Sequence, residues 1–215
     1  GYGKLIADWM TDGRTEIDHN SIDYARFYPH QMTEEFIENR CYEAAQKIYF
    51  PAIHPREPYA TSRGVKHSPF HEREVELGGH FMELGGWERA HGYASNAHLL
   101  EKFAERVPVR ANEWDNRHFW RVSNAEHLQL SEDCGIINLS HFHMVDIEGP
   151  DHVAMMEWLC AAKIGGDGNI GKGIYTHFLD DEGMVRADFT VIRMADRCRL
   201  INGADAGPRD FHYMR

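Results

Sequence analysis

The chain has 215 residues, 42% of them hydrophobic and 12% aromatic, with a formal net charge of −11. That length can bury a real core in one large domain or two small ones, and the composition excludes a disordered chain. The acidic balance, without clustered Lys and Arg, argues against nucleic acid and anionic membrane surfaces as partners, and no apolar run approaches the roughly 20 residues of a membrane span.

Four cysteines, Cys41, Cys134, Cys160 and Cys198, form no Cys-x-x-Cys pair, so reduced thiols in a cytoplasm-like compartment are expected. Most of the fifteen histidines stand alone in polar surroundings and read as a pH-sensitive surface.

In chain order, residues 3–11 read as a helix ended by Asp12-Gly13, and 22–28 as a short aromatic linker. From 31 to 50, Phe36, Ile37, Cys41, Ala44, Ala45 and Ile48 recur at helical steps, Thr33 caps the first turn, and Pro51 stops the helix. Residues 51–70 hold Pro51, Pro55, Pro58 and Pro69 and should be irregular. Short extended pieces follow over 71–94, broken at Gly78-Gly79 and Gly85-Gly86. A second amphipathic helix is predicted over 117–134, with Phe119, Trp120, Val122, His127, Leu128 and Leu130 in its stripe. Residues 136–148 read as strand, 151–163 as helix after Gly149-Pro150, 173–203 as three antiparallel strands, and 208–215 as a helical pattern. The chain opens on Gly1-Tyr2-Gly3-Lys4 at the first turn of a helix and closes inside another, so a fragment of a longer protein is expected.

Within 171–193 a tight turn at Asp180, Asp181, Glu182 and Gly183 joins two strands into a hairpin. Period-two alternation puts Arg186, Asp188, Thr190 and Ile192 on one face and Val185, Ala187, Phe189 and Val191 on the other. Asp188 is the best catalytic candidate, because Asp is depleted in strands and needs compensation there. The plainer alternative is an exposed ion pair with Arg186.

Other motifs are weaker. Gly166-Asp167-Gly168-Asn169-Ile170-Gly171-Lys172 matches the start of a P-loop. Gly173 then stands where Ser or Thr should bind Mg²⁺, and the loop leads from helix to strand, so nucleotide binding is not expected. His141-Phe142-His143 could set two imidazoles on one strand face, but without a third ligand no metal is expected. Gly1, Gly3 and Lys4 offer free N–H groups at a helix start, suited to an electron-rich ligand edge. The Gly-x-Gly-x-x-Gly fingerprint is absent, which puts the main site of any flavin outside this chain. Gly85-Gly86-Trp87-Glu88-Arg89 sets an aromatic ring beside a potential ion pair, a structural unit.

In this order the segments resemble the flavin-dependent dimethylglycine and sarcosine dehydrogenase family. Gly1-Tyr2-Gly3-Lys4-Leu5-Ile6-Ala7-Asp8-Trp9-Met10-Thr11-Asp12-Gly13 is similar to the last helix of its FAD domain. Ser68-Pro69-Phe70, residues 79–81 and Gly86-Trp87-Glu88-Arg89 are similar to its central linking domain. Ile137-Asn138-Leu139-Ser140-His141-Phe142 with residues 145–151 resembles the opening of its folate domain, and Ile174-Tyr175-Thr176 with residues 188–193 the hairpin of that domain.

The resemblance implies an α+β fold of mixed helices and antiparallel sheet. The end of an FAD domain would occupy 1–20, a linking domain 21–95, and the first part of an aminomethyltransferase-like folate-binding domain 96–215. It also implies FAD and tetrahydrofolate as cofactors and a small N-methyl amine as substrate. Oxidation by hydride transfer to FAD leaves an iminium, whose one-carbon unit tetrahydrofolate captures. Asp188 would assist that transfer, Phe142, Tyr175 and Asn202 would line the folate pocket, and Gly1, Gly3 and Lys4 would stand on the flavin side. Asn138 replaces a usual Asp, and His143 a common Gly. The competing readings are a flavin-independent folate-dependent aminomethyltransferase or methyltransferase and a non-catalytic folate-fold binding module.

Overall fold

The computed structural model describes residues 2–13, 15, 24–49, 59–109, 111, 120–204 and 206–214. Gly1, Phe119 and the proline-rich 51–58 lie outside the described residues. The elements run α1 (Tyr2–Asp12), α2 (Glu34–Tyr49), α3 (His71–Glu76), β1 (Gly79–Leu84), β2 (Trp87–Tyr93), α4 (Leu99–Lys102), α5 (Trp120–Glu132), β3 (His143–Glu148), α6 (His152–Leu159), β4 (Gly173–Leu179), β5 (Val185–Arg193), β6 (Arg197–Asn202) and α7 (Gly207–Tyr213). The class is α+β, as read from the sequence. Two compact units form, Gly1–Tyr28 with His143–Arg215 and Pro29–Phe142.

The first unit is built on an antiparallel sheet of order β3-β6-β5-β4. Alternation decides what each strand buries. On β5, Ala187, Phe189, Val191 and Arg193 face in, and on β6 Cys198, Leu200 and Asn202 do. They meet Phe178 of β4 and Met156 of α6, and Ile164 completes the cluster. Each large apolar side chain so buried contributes about 1.5–3 kcal/mol. One expected inward residue, Val185, is 62% exposed. The register shift between Phe178 and Leu179 displaces it beside the turn. In α1, Gly13 takes a φ of +71° and its N–H bonds the Trp9 carbonyl, closing the helix where Asp12-Gly13 predicts. The helix expected over 151–163 ends at Leu159, because Cys160 turns extended and pairs with Phe178 along the β4 edge.

In the second unit, the Thr33 hydroxyl accepts the Phe36 N–H and caps α2. The packed face of α2 differs from the predicted one. Ile37, Cys41, Ala45 and Ile48 are exposed, while Phe36, Arg40, Glu43, Ala44 and Lys47 are half-buried. The aromatic ring of Tyr59 sets this preference, with the Arg40 guanidinium 4.2 Å and the Lys47 ammonium 4.6 Å from its centre. Gly85 and Gly86, at φ +59° and +87°, make the two-residue turn joining β1 to β2. The strip 71–76, expected to be extended, is helical, its Glu74 N–H bonded to the Phe70 carbonyl. The α4–α5 pair encloses Leu99, Phe103, Val107 and Ala125.

The strand expected over 136–148 begins only at His143. Asn138 is the reason, because its side-chain oxygen accepts the Ser140 N–H and the Phe142 N–H bonds the Leu139 carbonyl, which bends the chain out of strand geometry.

Candidate functional site

The β4–β5 hairpin is held by its turn. Asp180 accepts the N–H groups of Glu182 and Met184 on one carboxylate oxygen, and Gly183 at φ +78° supplies the left-handed step. Its other oxygen lies 3.2 Å from Arg186 Nε. That ion pair takes the place of the one expected between Arg186 and Asp188.

Asp188 is exposed, on the sheet face opposite the core and directly across from His177. Its Oδ2 accepts a hydrogen bond from the Tyr175 hydroxyl at 3.2 Å, and the Tyr175 ring meets the His177 ring edge-on at 5.2 Å. The Asp188 carboxylate raises the Tyr175 pKa, because the bond and the adjacent negative charge both hold the phenol proton in place. A carboxylate with one donor has open lone pairs for a ligand, and the phenol beside it, its proton given to Asp188, offers its oxygen as an acceptor. The carboxylate can accept, hold or return a proton.

Of the other residues singled out, the structure brings Tyr175 to Asp188 but not Asn202. Asn202 is buried on the inner face, where its amide donates to the Asp210 carboxylate. Burial pushes the Asp210 carboxyl up, opposed by its contact with Arg209. Period-two geometry on β6 is the physical reason: a residue in step with Cys198 and Leu200 turns away from the Asp188 face. Phe142 belongs to the second unit, in the turn where its ring meets that of His141.

The two imidazoles of His141-Phe142-His143 do not share a strand face, since His141 precedes the strand that His143 begins. The imidazole of His143 lies where any side chain at position 207 would collide with it, so Gly207 makes room for the histidine. On the flavin side, Lys4 pairs with Asp8 at 2.6 Å, and a Cβ at Gly3 would meet nothing within 4 Å.

Sequence reasoning missed a second polar centre. Glu74 is buried and accepts from the Tyr93 hydroxyl at 2.9 Å, the Ser68 hydroxyl at 3.1 Å and the Asn138 amide at 3.0 Å. Ser68-Pro69-Phe70 and Asn138 stood out separately, but nothing local pairs Asn138 with Glu74, 64 positions away. Glu88 likewise takes Arg63 as its partner, together with the Gly64 N–H, rather than the adjacent Arg89.

The four-stranded antiparallel sheet thus buries one face and carries an exposed acid–phenol pair on the other, within an α+β fold. Residues 12–68 match the FAD dependent oxidoreductase central domain, and residues 70–215 match the GCVT N-terminal domain. The chain belongs to the GCVT N-terminal domain family, in the two-domain order found by resemblance in dimethylglycine and sarcosine dehydrogenases.

It is 30% identical over 217 residues to a 4-methylaminobutanoate oxidase (formaldehyde-forming) of Paenarthrobacter nicotinovorans and 27% identical over 233 residues to the mitochondrial sarcosine dehydrogenase of Mus musculus. The mitochondrial dimethylglycine dehydrogenase of Rattus norvegicus is 24% identical over 218 residues. These alignments take in 100% of this chain but 25%, 25% and 24% of the relatives, so the chain spans about a quarter of their length. No described helix is long and apolar enough to cross a membrane.

Proposed function

We propose that this chain is part of an FAD-dependent oxidoreductase that oxidatively demethylates an N-methyl amine of the dimethylglycine or sarcosine kind and passes the one-carbon unit to tetrahydrofolate. The observation that carries this reading is the succession of the two matched domains along one chain, the second bearing the exposed Asp188–Tyr175 pair. The end of the FAD domain would occupy 1–20, the linking domain 21–95 and the first part of the folate domain 96–215.

The acceptor set suits a folate on one side. Asp188 offers an anionic acceptor and the Tyr175 oxygen a neutral one, the complement of the N–H groups a folate ring carries. Asn202, hydrogen-bonded to Asp210 on the other face, is left out of this set. Tetrahydrofolate would supply the nucleophilic nitrogens that accept the one-carbon unit, a reaction that requires proton transfers at nitrogen. Asp188 Oδ2 holds or returns that proton, and Tyr175 orients the carboxylate. FAD would accept the hydride. Gly3 and Lys4, on α1 where Lys4 pairs with Asp8, would stand on the flavin side, with the main flavin site outside this chain.

The two departures from the family pattern fall outside the pair. Asn138 serves Glu74, and His143 packs over Gly207. A flavin-independent transferase is disfavoured by the match over residues 12–68.

In the flavin-loaded protein, sarcosine oxidation is expected to release less free formaldehyde when tetrahydrofolate is present. Asp188→Asn should restore the formaldehyde while leaving the rate of flavin reduction unchanged. Equal formaldehyde with and without tetrahydrofolate in the unsubstituted protein would remove folate capture from the account.

A further inference from the structure

The second unit encloses a cavity of about 720 Å³, walled by β2, α5 and the 134–141 loop. This is within the usual range of small-molecule sites, roughly 300–1,000 Å³. Three carboxylates line it, and each is already satisfied. Glu74 holds Ser68, Tyr93 and Asn138, Glu88 holds Arg63 and the Gly64 N–H, and Glu126 accepts from the Tyr93 N–H at 3.0 Å and the Asn96 amide at 2.7 Å. The unmatched groups are of the opposite kind. Arg89 lines the same cavity, and among the described residues its buried Nε has no hydrogen-bond partner and no ion pair involves it. His141, only 7% exposed, also lines the cavity with an unpartnered Nε2.

We propose that this cavity binds the carboxylate of a small organic acid, held by the Arg89 guanidinium and the His141 imidazole. A half-buried guanidinium without a counter-anion is costly, and a carboxylate matches its planar fork. The three saturated glutamates favour a single negative charge over a phosphate dianion, since a second charge would meet their repulsion. Leu99, Ile137 and Leu139 add apolar wall for the body of the acid. Burial and the nearby Arg89 charge both lower the His141 pKa, so the imidazole is neutral at pH 7 and can donate from Nε2 without competing for the anion's charge.

The site stands on these residues alone, but the choice of ligands rests on the function proposed above, where the carboxylate comes either from an N-methyl amino acid or from the glutamate tail of folate. The test is a titration of the protein followed by NMR at the Arg89 Nε–H and the His141 ring. The probes are acetate, sarcosine, methylamine, tetrahydrofolate and 6-methyltetrahydropterin, which carries the ring of folate but no carboxylate. The carboxylate probes are expected to give saturable shifts at both residues and to raise the His141 pKa, and methylamine and 6-methyltetrahydropterin to leave both unmoved. Arg89→Gln should weaken binding about ten- to hundredfold, the range for a lost charged hydrogen bond.

The wild-type titration does not depend on the variant folding. Preference for sarcosine or for tetrahydrofolate identifies the source of the carboxylate. A response to acetate equal to both supports the site while counting against the functional reading. No perturbation at Arg89 and His141 by any carboxylate overturns the site, whatever the outcome of the formaldehyde experiment.

Discussion

Asp188 and Glu74 are two acids in two units with opposite surroundings. Glu74 is 6% exposed and surrounded by the Tyr93 and Ser68 hydroxyls and the Asn138 amide. Asp188 is exposed and has the Tyr175 hydroxyl as its hydrogen-bond partner. A carboxylate whose lone pairs are filled from within the fold holds the fold together and has little left for a ligand. One that is held in direction but left open costs little stability and is free for chemistry. The comparison therefore turns on where substitution is felt, in stability for the first acid and in ligand binding for the second.

The largest effect is expected in the sheet that carries Asp188. Phe178 is fully buried against Phe189, with ring centres 4.3 Å apart. Phe178→Ala should cost about 3–5 kcal/mol in urea unfolding. A loss below about 1 kcal/mol would mean that the sheet does not depend on this core.

A smaller effect probes Glu74. Asn138→Asp replaces a donor by a second carboxylate, so it should destabilise by about 1–3 kcal/mol at pH 7. An unchanged midpoint would show that Glu74 is not the saturated acid described.

Glu43 sharpens the same point with pH. Burial pushes its carboxyl up, but hydrogen bonds from the Thr61 hydroxyl, the Ala60 N–H, Lys47 and the Thr61 N–H outweigh this and bring it from 4.5 down to about 2. A depressed folded value stabilises above the unfolded pKa, and the gain is lost as pH falls through the folded one. Glu43→Gln should therefore be less stable than wild type by about 1–2 kcal/mol at pH 7, with the gap closing between about pH 4.5 and 2. A gap independent of pH would place its origin elsewhere. The smallest effect is expected at the open acid, where Asp188→Asn should change stability by no more than about 0.5 kcal/mol.

The hairpin, its turn residues and its two faces were legible because alternation and turn chemistry are local. The three strands over 173–203 and the cap of α2 at Thr33 were legible for the same reason. What escaped depends on distant partners. The packed face of α2 follows Tyr59 rather than its own apolar stripe, and the late start of β3 follows the Asn138 side chain. The ion pairs expected between near neighbours were displaced by better partners, Arg63 for Glu88 and Asp180 for Arg186. At the candidate site, Asp188 stood out as an acid on a strand and Tyr175 through the family resemblance, while strand register sets Asp188 opposite His177. The inward direction of Asn202 required knowing that β6 lies between β3 and β5, which buries one of its faces.

On the proposed function, the open acid on the β4–β5 hairpin handles folate. Tetrahydrofolate binding to the wild-type protein and to Asp188→Asn, followed by tryptophan fluorescence at pH 7, tests it most directly. Binding should be saturable in the wild type and weaken about tenfold or more in the variant at unchanged unfolding midpoint. Equal affinity in the two proteins would contradict it.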